Sequence, residues 1–422
     1  MSVRLSTDDQ AMLDGQSGEA ARFAMSVLAR MAEVTGAEEL LSVEQAHIDA
    51  CGLMSQSSLE FIEHLANHDG RVRIPTTLNM IPLDLRNWRH LGVPAAFGEK
   101  ASRIVEAYLK IGCIPTYTCA PYQGYLTPRF GQQIAWGESN AVVYANSVLG
   151  ARTNRYGDYM DVCAAITGRA PKVGLHLREN RRGKVLVRIK DVPMKTWQSP
   201  AAWATLGHLV GAHVGNSIPV IEGLPQRASS DQLKAFGAAA ASSGAVALFH
   251  AVGITPEAPD LVTAFHGYEP EETVDVSLQM LRHAWQDLSS VEQGDRLDAV
   301  ILGCPHFSYS EFEALIRDIT ELHPNRVHSK VQMLVFTNAS AYALAERRGF
   351  IESLESFGAT VVLDTCPFHS PIIMKGTHTV MTNSGKCAYY APGELGVNVA
   401  FGNLRDCVRS ASRGAVTCED TI

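Results

Sequence analysis

Three cysteines follow apolar runs that are typical of buried strands, at widely separated points in the sequence. Cys119 follows the run CIPTYT, Cys304 follows DAVILG, and Cys366 follows ATVVLDT. Ligands of open α/β sheets bind beyond the carboxyl ends of parallel strands, so these thiols are predicted to lie where polar groups converge. Free cysteines are also among the most buried residues, and packing in the core is the alternative for each of them.

Three thiolates from distant segments favour an iron–sulfur cluster over a closed structural zinc site, which takes four protein ligands. The sequence contains no CxxC pair, which excludes a zinc ribbon and a thioredoxin motif. A cluster held by three cysteines leaves one iron open, and that iron can act as a Lewis acid on a substrate hydroxyl or carboxylate. We therefore expect a dehydration rather than electron transfer. The cluster nuclearity is left open, as is the question of whether Cys387 in SGKCAYY is a further ligand or a thiol of the site wall.

Other polar side chains follow the remaining apolar runs. Asn338 follows VQMLVFT and is predicted to bind substrate, and Ser384 and Lys386, shortly after THTVMT, are predicted to be catalytic. Lys386 could hold a substrate anion, and His306, close behind Cys304, could donate hydrogen bonds or move protons near pH 7. A solvated lysine and a structurally satisfied histidine are the alternatives.

A second group of candidates lies in the segment 136–155, WGESNAVVYANSVLGARTNR. It combines many amides and hydroxyls with arginines, whose guanidinium groups bind carboxylates with two parallel hydrogen bonds. The candidates for substrate binding or catalysis in this segment are Ser139, Asn140, Asn146, Ser147, Arg152, Asn154 and Arg155. The alternative is a helix N-terminus followed by a solvated turn.

Alternating strand and helix patterns are expected to position these residues. In the C-terminal third, strands are predicted at 297–302, 331–336, 360–364, 377–381 and 397–401, and helices at 310–319 and 341–357. This alternation predicts parallel βαβ units and an α/β fold. Helices are also predicted at 18–37, 43–51 and 100–111, a hairpin over 173–189, and a capping box formed by Ser310 and Glu313.

The composition is that of a globular protein of two or three domains. The chain has 422 residues, of which 46% are hydrophobic and 19% charged, and its net charge is −8. This charge disfavours a general nucleic-acid-binding surface, and the absence of an apolar run of 18 residues predicts no transmembrane helix. Nine scattered cysteines without a secretory signal indicate reduced thiols and a cytoplasmic location. The motifs GxSxG, Walker A and GxGxxG are absent.

The string TCAPYQGYLTPRFGQQIAWGESNAVVYANSVLGARTNR, together with LGCPHFS, LDTCPF and TNSGKCAYYAPG, resembles the large subunit of the aconitase X family. The resemblance covers nearly the whole chain. It implies the three-domain α/β core of the aconitase superfamily, with parallel sheets flanked by helices. We predict divisions at 1–200, 201–295 and 296–422. The resemblance and the chain length together predict that the swivelling domain is a separate small subunit.

The family resemblance also implies an activity. Members dehydrate either cis-3-hydroxy-L-proline to Δ1-pyrroline-2-carboxylate or mevalonate 5-phosphate, using an iron–sulfur cluster whose cysteines match Cys119, Cys304 and Cys366 by position. We favour the hydroxyproline because a phosphorylated substrate calls for a denser cationic or glycine-rich cradle. The resemblance predicts that the open iron binds the C3 hydroxyl and that Arg155 or Lys386 fixes the carboxylate. A non-catalytic iron–sulfur regulator is the alternative from another functional class.

Overall fold

The computed structural model describes residues 3–324 and 326–418. The chain forms two compact units, Met1–Arg182 and Gly183–Ile422. The division predicted at residues 200 and 295 is a different one and stays a prediction. The two termini and position 325 lie outside the described residues.

The first unit combines helices with two small sheets. Its helices are α1 (Thr7–Leu13), α2 (Glu19–Thr35), α3 (Gln56–Asn67), α4 (Ala95–Lys110), α5 (Ser139–Ser147) and α6 (Met160–Thr167). Its strands are β1 (Leu40–Ser42), β2 (Ala46–Ile48), β3 (Thr76–Leu78), β4 (Ala135–Trp136) and β5 (Arg169–Pro171). β1 pairs with β5 antiparallel, and the other sheet has the parallel order β3-β2-β4. Apolar side chains of α2, α3, α4 and α6 form one core with β2 and β3.

The central strand of this parallel sheet corrects one of our predictions. The predicted helix at 43–51 is wrong, because residues Ala46–Ile48 form β2. β2 has only three residues, all of them buried, and a segment this short shows no period that would distinguish a strand from a buried helix. The helices predicted at 18–37 and 100–111 are confirmed as α2 and α4.

The second unit contains the longer strands. Its helices are α7 (Pro200–Val214), α8 (Ser230–Gly244), α9 (Leu261–Ala264), α10 (Leu278–Asp287), α11 (Tyr309–Leu322), α12 (Ala339–Arg347), α13 (Phe350–Phe357), α14 (Gly385–Leu395) and α15 (Leu404–Arg413). Its strands are β6 (Val185–Ile189), β7 (Pro219–Glu222), β8 (His250–Ala251), β9 (Glu272–Val276), β10 (Ala299–Phe307), β11 (Gln332–Thr337), β12 (Ala359–Leu363), β13 (Thr379–Thr382) and β14 (Asn398–Phe401).

Both sheets of the second unit are parallel. One has the strand order β8-β7-β6-β9 and the other the order β12-β11-β10-β13-β14. The predicted α/β class with parallel sheets is thus confirmed. In the five-stranded sheet the chain runs outward from β10 to β12 and then returns to the other side of β10. The gap between β10 and β13 is therefore a topological switch point, the place where α/β sheets bind ligands.

The predicted hairpin over 173–189 is wrong. Residues Gly174–His176 and Arg178–Arg181 form short 3₁₀ helices, and β6 pairs in parallel with β7 and β9 rather than with a hairpin partner. Three consecutive residues of β6 are buried, as a parallel strand requires, and the charged turn that suggested a hairpin precedes this strand.

Two helix boundaries also differ from the prediction. β10 extends to Phe307, so α11 begins at Tyr309 and its capping box is formed by Ser308 and Glu311 instead of Ser310 and Glu313. The helix predicted at 341–357 is divided into α12 and α13 at Gly349, which has a φ of 72°. Gly358 ends α13 in the left-handed conformation with a φ of 102°, as predicted.

Capping boxes close three helices of the second unit at their N-termini. Ser229 and Gln232 close α8, Ser308 and Glu311 close α11, and Asn403 and Asp406 close α15. In each box the side chain of the first residue accepts a backbone N–H of the helix, and the side chain of the second accepts the N–H of the first. These N–H groups would otherwise be open to ligands.

Candidate active site

Polar side chains gather at the carboxyl ends of the three parallel strands of the first unit. Asp49 follows β2, Asn79 follows β3, and Glu138 comes after β4 and Gly137. The Asn79 side-chain N–H group donates one hydrogen bond to Oδ1 of Asp49 and another, of 3.1 Å, to Oε2 of Glu138. One amide therefore bridges two carboxylates at this edge of the sheet.

Cys119 lies beside these strand ends, although the run CIPTYT before it, which has the pattern of a buried strand, forms only an isolated bridge of Ile114 with Thr77. The N–H of Thr118 donates to the carbonyl of Leu78 at the end of β3, over 3.2 Å. Asn140 Nδ2 then donates to the Cys119 carbonyl over 3.0 Å, and the Asn140 backbone N–H donates to Glu138 Oε1 over 3.1 Å. Ser139 also donates to Glu138 Oε1. The predicted residues Cys119, Ser139 and Asn140 are therefore brought together, while Asp49 and Asn79 were not predicted.

Burial controls the charges of this group. Asp161 on α6 is fully buried, and burial raises its pKa to about 7 although its carboxylate accepts the backbone N–H of Asp49. Burial also raises the pKa of Asp49 well above its ordinary value, and the Glu138 and Asp161 carboxylates raise it further. His47 on β2 is buried, which lowers its pKa to about 3, so its imidazole is neutral at physiological pH.

Gly137 permits the close approach of these carboxylates. A Cβ atom at this position would lie 2.6 Å from Asp161 Oδ2 and 2.9 Å from Asp49 Cβ. We expect Gly137→Ala to lower the free energy of unfolding by roughly 1–3 kcal/mol, the usual cost of overpacking. Urea titration of the variant measures this loss.

Gly157 provides the matched control for this substitution. A Cβ atom at Gly157 meets no heavy atom within 4 Å, so Gly157→Ala should change the free energy of unfolding by less than about 0.5 kcal/mol. Equal stability of the two variants would contradict the tight packing inferred around Gly137.

The remaining residues predicted in 136–155 have other surroundings. Asn146 exchanges two hydrogen bonds with the backbone of Thr153, and the Asn154 side chain bonds the backbone of Val173 and Leu175. These two amides hold the chain that follows α5. The other three differ in exposure: Ser147 is buried, Arg152 half-buried and Arg155 exposed. A substrate-binding role for these five residues stays a prediction.

A second group of predicted residues lies at the carboxyl edge of the five-stranded sheet in the second unit. The Ser384 hydroxyl donates a hydrogen bond to the carbonyl of Cys304. The His306 ring donates from Nε2 to the carbonyl of Thr365, the residue before Cys366, over 3.0 Å. Since His306 is itself buried on β10, this bond ties the two cysteine-bearing segments to each other.

Asn338 and Ser384 have roles at helix starts. Oδ1 of Asn338 accepts the backbone N–H groups of Ser340 and Ala341 at the start of α12, each over 3.0 Å. The Ser384 hydroxyl accepts the N–H of Cys387 over 3.0 Å and so caps α14. Lys386 lies half-buried in the first turn of α14. The substrate-binding roles predicted for Asn338 and His306 and the catalytic roles predicted for Ser384 and Lys386 stay predictions.

A buried lysine that we did not predict supports the Cys304 segment. Lys234 on α8 is 2% exposed and donates to Glu311, to Asp231 over 3.1 Å, and to the His306 carbonyl over 3.2 Å. Burial alone would lower the pKa of Lys234, but the two carboxylates beside it raise it above its ordinary value. The ammonium group therefore stays charged and joins α8, α11 and the end of β10.

Two cavities open beside this segment. A cavity of about 30 Å³ is lined by residues that include Lys234, Cys304, Asn383 and Ser384. A larger cleft of about 750 Å³ shares Asn383 and Glu311 with it and reaches the N-terminal ends of α7, α8, α11 and α15. The second unit thus has a cleft that adjoins the small cavity lined by Cys304.

The nine cysteines are free thiols with different surroundings. Burial raises the pKa of Cys51, Cys113, Cys163 and Cys407 above the ordinary value, and raises that of Cys418 to about 11. These thiols stay protonated, which disfavours them as metal ligands. Cys387 is fully buried within α14, which favours a packing role.

The predicted ligand set is divided between the two units. Cys119 belongs to the first, and Cys304 and Cys366 to the second. Within the described part of either unit, no three side chains of His, Cys, Asp or Glu are arranged to hold a metal ion. The thiol groups of the three predicted ligands suit an iron–sulfur cluster, which takes thiolate ligands. Each of these three cysteines is 7–8% exposed.

Comparison with known families accounts for almost the entire chain. Residues 2–179 match the family profile of the aconitase X first domain, residues 183–286 that of the second domain, and residues 297–413 that of the third. The chain belongs to the aconitase X family. The resemblance inferred from the sequence is thereby confirmed.

Relatives in the aconitase X family include two kinds of dehydratase. The chain is 47% identical to a cis-3-hydroxy-L-proline dehydratase of Pseudomonas aeruginosa, over 97% of this chain and 70% of that protein. It is 35% identical to the phosphomevalonate dehydratase large subunit of Methanocaldococcus jannaschii, over 96% of this chain and 99% of that protein.

A solved aconitase X structure shares the fold. The holo-form of the Thermococcus kodakaraensis protein aligns with a TM-score of 0.86 at 31% identity, covering 97% of this chain and all of that one. None of the helices among the described residues has the length and apolar character needed to span a membrane.

Proposed function

We propose that this chain is the large subunit of an iron–sulfur-dependent hydro-lyase that dehydrates cis-3-hydroxy-L-proline to Δ1-pyrroline-2-carboxylate. The order of sequence identities carries this proposal. Relatives named as cis-3-hydroxy-L-proline dehydratases are 47% and 43% identical to the chain, whereas those named as phosphomevalonate dehydratase large subunits are 31–35% identical. Specificity follows the residues around the substrate, and more of these are shared at higher identity.

Cys119, Cys304 and Cys366 are the proposed ligands of the cluster. Two features of the second unit support the assignment of Cys304 and Cys366: their segments are joined through His306, and the Cys304 carbonyl is held by Ser384. When bound, the cluster supplies a Lewis-acidic iron that makes the C3 hydroxyl a better leaving group. Thiolates are the ligands that iron–sulfur clusters take.

The reaction is a β-elimination, and the chain's cationic side chains have a defined part in it. A base removes the proton at Cα, the electron pair forms the Cα–Cβ double bond, and the bond between C3 and oxygen breaks. Lys386 or Arg155 binds the carboxylate and stabilises the enolate-like charge that develops on it. The enamine product then becomes the cyclic imine by tautomerisation in solution.

A second polypeptide completes the enzyme in this proposal. The chain aligns with phosphomevalonate dehydratase large subunits along 97–99% of their length, and a protein named as a large subunit has a small one. We place the swivelling domain and the base that removes the Cα proton on that small subunit. The free state of all nine thiols supports a cytoplasmic location.

Anaerobic reconstitution tests the function directly. The chain and its small subunit, loaded with iron and sulfide, are expected to dehydrate cis-3-hydroxy-L-proline and to leave mevalonate 5-phosphate unchanged. Lys386→Met should lower kcat/KM by about 10²-fold, because it removes a charge that stabilises the transition state. Lys330→Met, a substitution of an exposed lysine, is the control and should retain activity.

Two other outcomes of this assay would contradict the proposal. Turnover of mevalonate 5-phosphate alone would overturn the substrate assignment and favour the phosphomevalonate dehydratase function. A loaded complex that turns over neither compound would contradict the enzymatic proposal and favour an iron–sulfur regulator.

A further inference from the structure

Asp49 combines accessibility with an unusual electrostatic environment. Its side chain is half-buried, whereas the two carboxylates beside it, Glu138 and Asp161, are 5% and 0% exposed. Within the described residues, neither Asp49 nor Asp161 forms an ion pair with a lysine, arginine or histidine. Three carboxyl groups thus share a small region in which only Asp49 reaches the surface of the unit.

Two buried amides beside this group offer unused acceptors. Asn79 and Asn140 are both fully buried, and the Oδ1 atom of each has no hydrogen-bond partner among the described residues. Their Nδ2 groups bind Asp49 and Glu138 in one case and the Cys119 carbonyl in the other. A buried acceptor without a partner is unfavourable, and a ligand that donates a hydrogen bond to it removes this cost.

The same contacts connect Asp49 to the proposed cluster ligand of the first unit. Asp49 bonds Asn79, Asn79 bonds Glu138, Glu138 bonds the N–H of Asn140, and Asn140 bonds the Cys119 carbonyl. Asp49 and Asn79 directly follow β2 and β3, Glu138 comes two residues after β4, and Asn140 lies in the first turn of α5. Asp49 and Cys119 therefore belong to one hydrogen-bonded edge of the first unit.

We propose that Asp49 is a catalytic residue of the dehydration, the general acid that gives its proton to the departing C3 hydroxyl. This inference rests on the proposed function. The environment of Asp49 supports it, since burial and the neighbouring carboxylates raise the pKa of Asp49 well above its ordinary value, so the carboxyl group holds a proton to transfer. Asn79 is a positioning residue, because it fixes the orientation of the Asp49 carboxyl group.

The proton transfer balances with the elimination. As the bond between C3 and oxygen breaks, its electron pair goes to the oxygen, and that oxygen takes the Asp49 proton and leaves as water. The proton removed from Cα goes to the base on the small subunit, and its electron pair forms the double bond. Asp49 is left as a carboxylate, and solvent returns its proton through the exposed side of the group.

Asp49→Asn in the reconstituted holoenzyme tests the proposal, because asparagine keeps the shape of the side chain and removes the acidic proton. We expect kcat to fall by about 10²–10³-fold, within the range of general acid catalysis, with KM and iron content unchanged. Asp158→Asn, at an exposed carboxylate that also raises the pKa of Asp49, is the control and should retain activity. Asp49→Glu keeps the acid and should recover part of the lost rate.

The pH–rate profile separates an acid from a structural residue. Activity of the wild-type enzyme should decline as the pH rises through the pKa of Asp49, and this decline should be absent from the residual activity of Asp49→Asn. The groups that face Asp49 are Glu138, Asp161 on α6, the Cys51 thiol and the exposed Asp158. Asp161→Asn should therefore move the decline to lower pH, since it removes one of the negative charges that raise the pKa of Asp49.

Infrared difference spectroscopy of the unloaded chain gives a readout that does not depend on turnover. The protonated carboxyl absorption near neutral pH should lose one component in Asp49→Asn, while the component of Asp161, whose pKa is about 7, remains. Unchanged kcat in Asp49→Asn, or a raised KM at unchanged kcat, would overturn the role as an acid. If the wild type turns over only mevalonate 5-phosphate, the substrate proposal fails, and the same variant assayed on that compound still decides the role of Asp49.

Discussion

Serine in place of Cys304 or Cys366 is expected to abolish both the dehydratase activity and the visible absorption of the reconstituted holoenzyme. Each substitution removes a thiolate and leaves a hydroxyl group, which is a poor ligand for iron. Loss of an outer-shell partner already costs about 10–100-fold in metal affinity or activity, so loss of a ligand should cost more than about 10²-fold. Iron content, absorption spectra and initial rates measure the effect.

Two other cysteines serve as controls for this experiment. Cys418→Ser changes a partly exposed thiol that is protonated at neutral pH, and Cys387→Ser changes a thiol fully buried in α14. Both variants should retain the cluster and the activity. Full activity in both Cys304→Ser and Cys366→Ser would remove the cluster from the mechanism, and loss of the cluster in Cys387→Ser would make Cys387 a ligand.

Lys234→Met is expected to lower the free energy of unfolding by about 3–5 kcal/mol, the cost of leaving buried charge without its partner. The substitution removes the ammonium group that lies between Asp231 and Glu311 and leaves the His306 carbonyl without this donor. Because that carbonyl lies shortly after Cys304, iron retention should fall as well. Urea unfolding and iron content after gel filtration measure the two effects.

An exposed ion pair of the same unit provides the matched comparison. Lys184 pairs with Glu271 at the surface, and Lys184→Met should cost less than about 1 kcal/mol with no loss of iron. A similar cost for the two lysine substitutions would show that the buried ammonium group contributes no more than a surface pair.

The five-stranded sheet of the second unit could be predicted because its strands are long. β10 begins with the apolar run 299–302 and β11 contains the apolar run 333–336, and capping residues precede the helices that follow. Such a pattern fixes both the position and the direction of a parallel strand. The rule that ligands bind beyond the carboxyl ends then placed Cys366 and Ser384 at one edge of the sheet, whereas Cys304, predicted to follow a strand, lies within β10.

The corresponding sheet of the first unit could not be predicted in the same way. Its strands contain only two or three residues, too few to show a period, and β2 was predicted as part of a helix. Because that strand was not predicted, Asp49 could not be recognised as a residue at the carboxyl end of a strand. Recognising the buried run AHI as a strand would have assigned Asp49 by the rule that was applied to Cys119.

Lys234 shows a different limit of sequence reasoning. A lysine in a helix is usually a solvated side chain, and its sequence neighbours in α8 are mostly small. Its burial depends on Glu311, 77 residues further along the chain, so the pairing exists only in the folded unit. The only local signal is Asp231, three positions earlier on the same helix.

The caps on the helices of the second unit affect how much anion charge its cleft can bind. Of the four helices that begin at this cleft, α8, α11 and α15 have closed N-termini, and only α7, which starts at Pro200, has no side-chain cap. A doubly charged phosphoryl group would have to expel caps worth about 1 kcal/mol each to gain further N–H donors. A singly charged carboxylate needs fewer donors, so the capped helix starts support the proposed hydroxyproline substrate over a phosphorylated one.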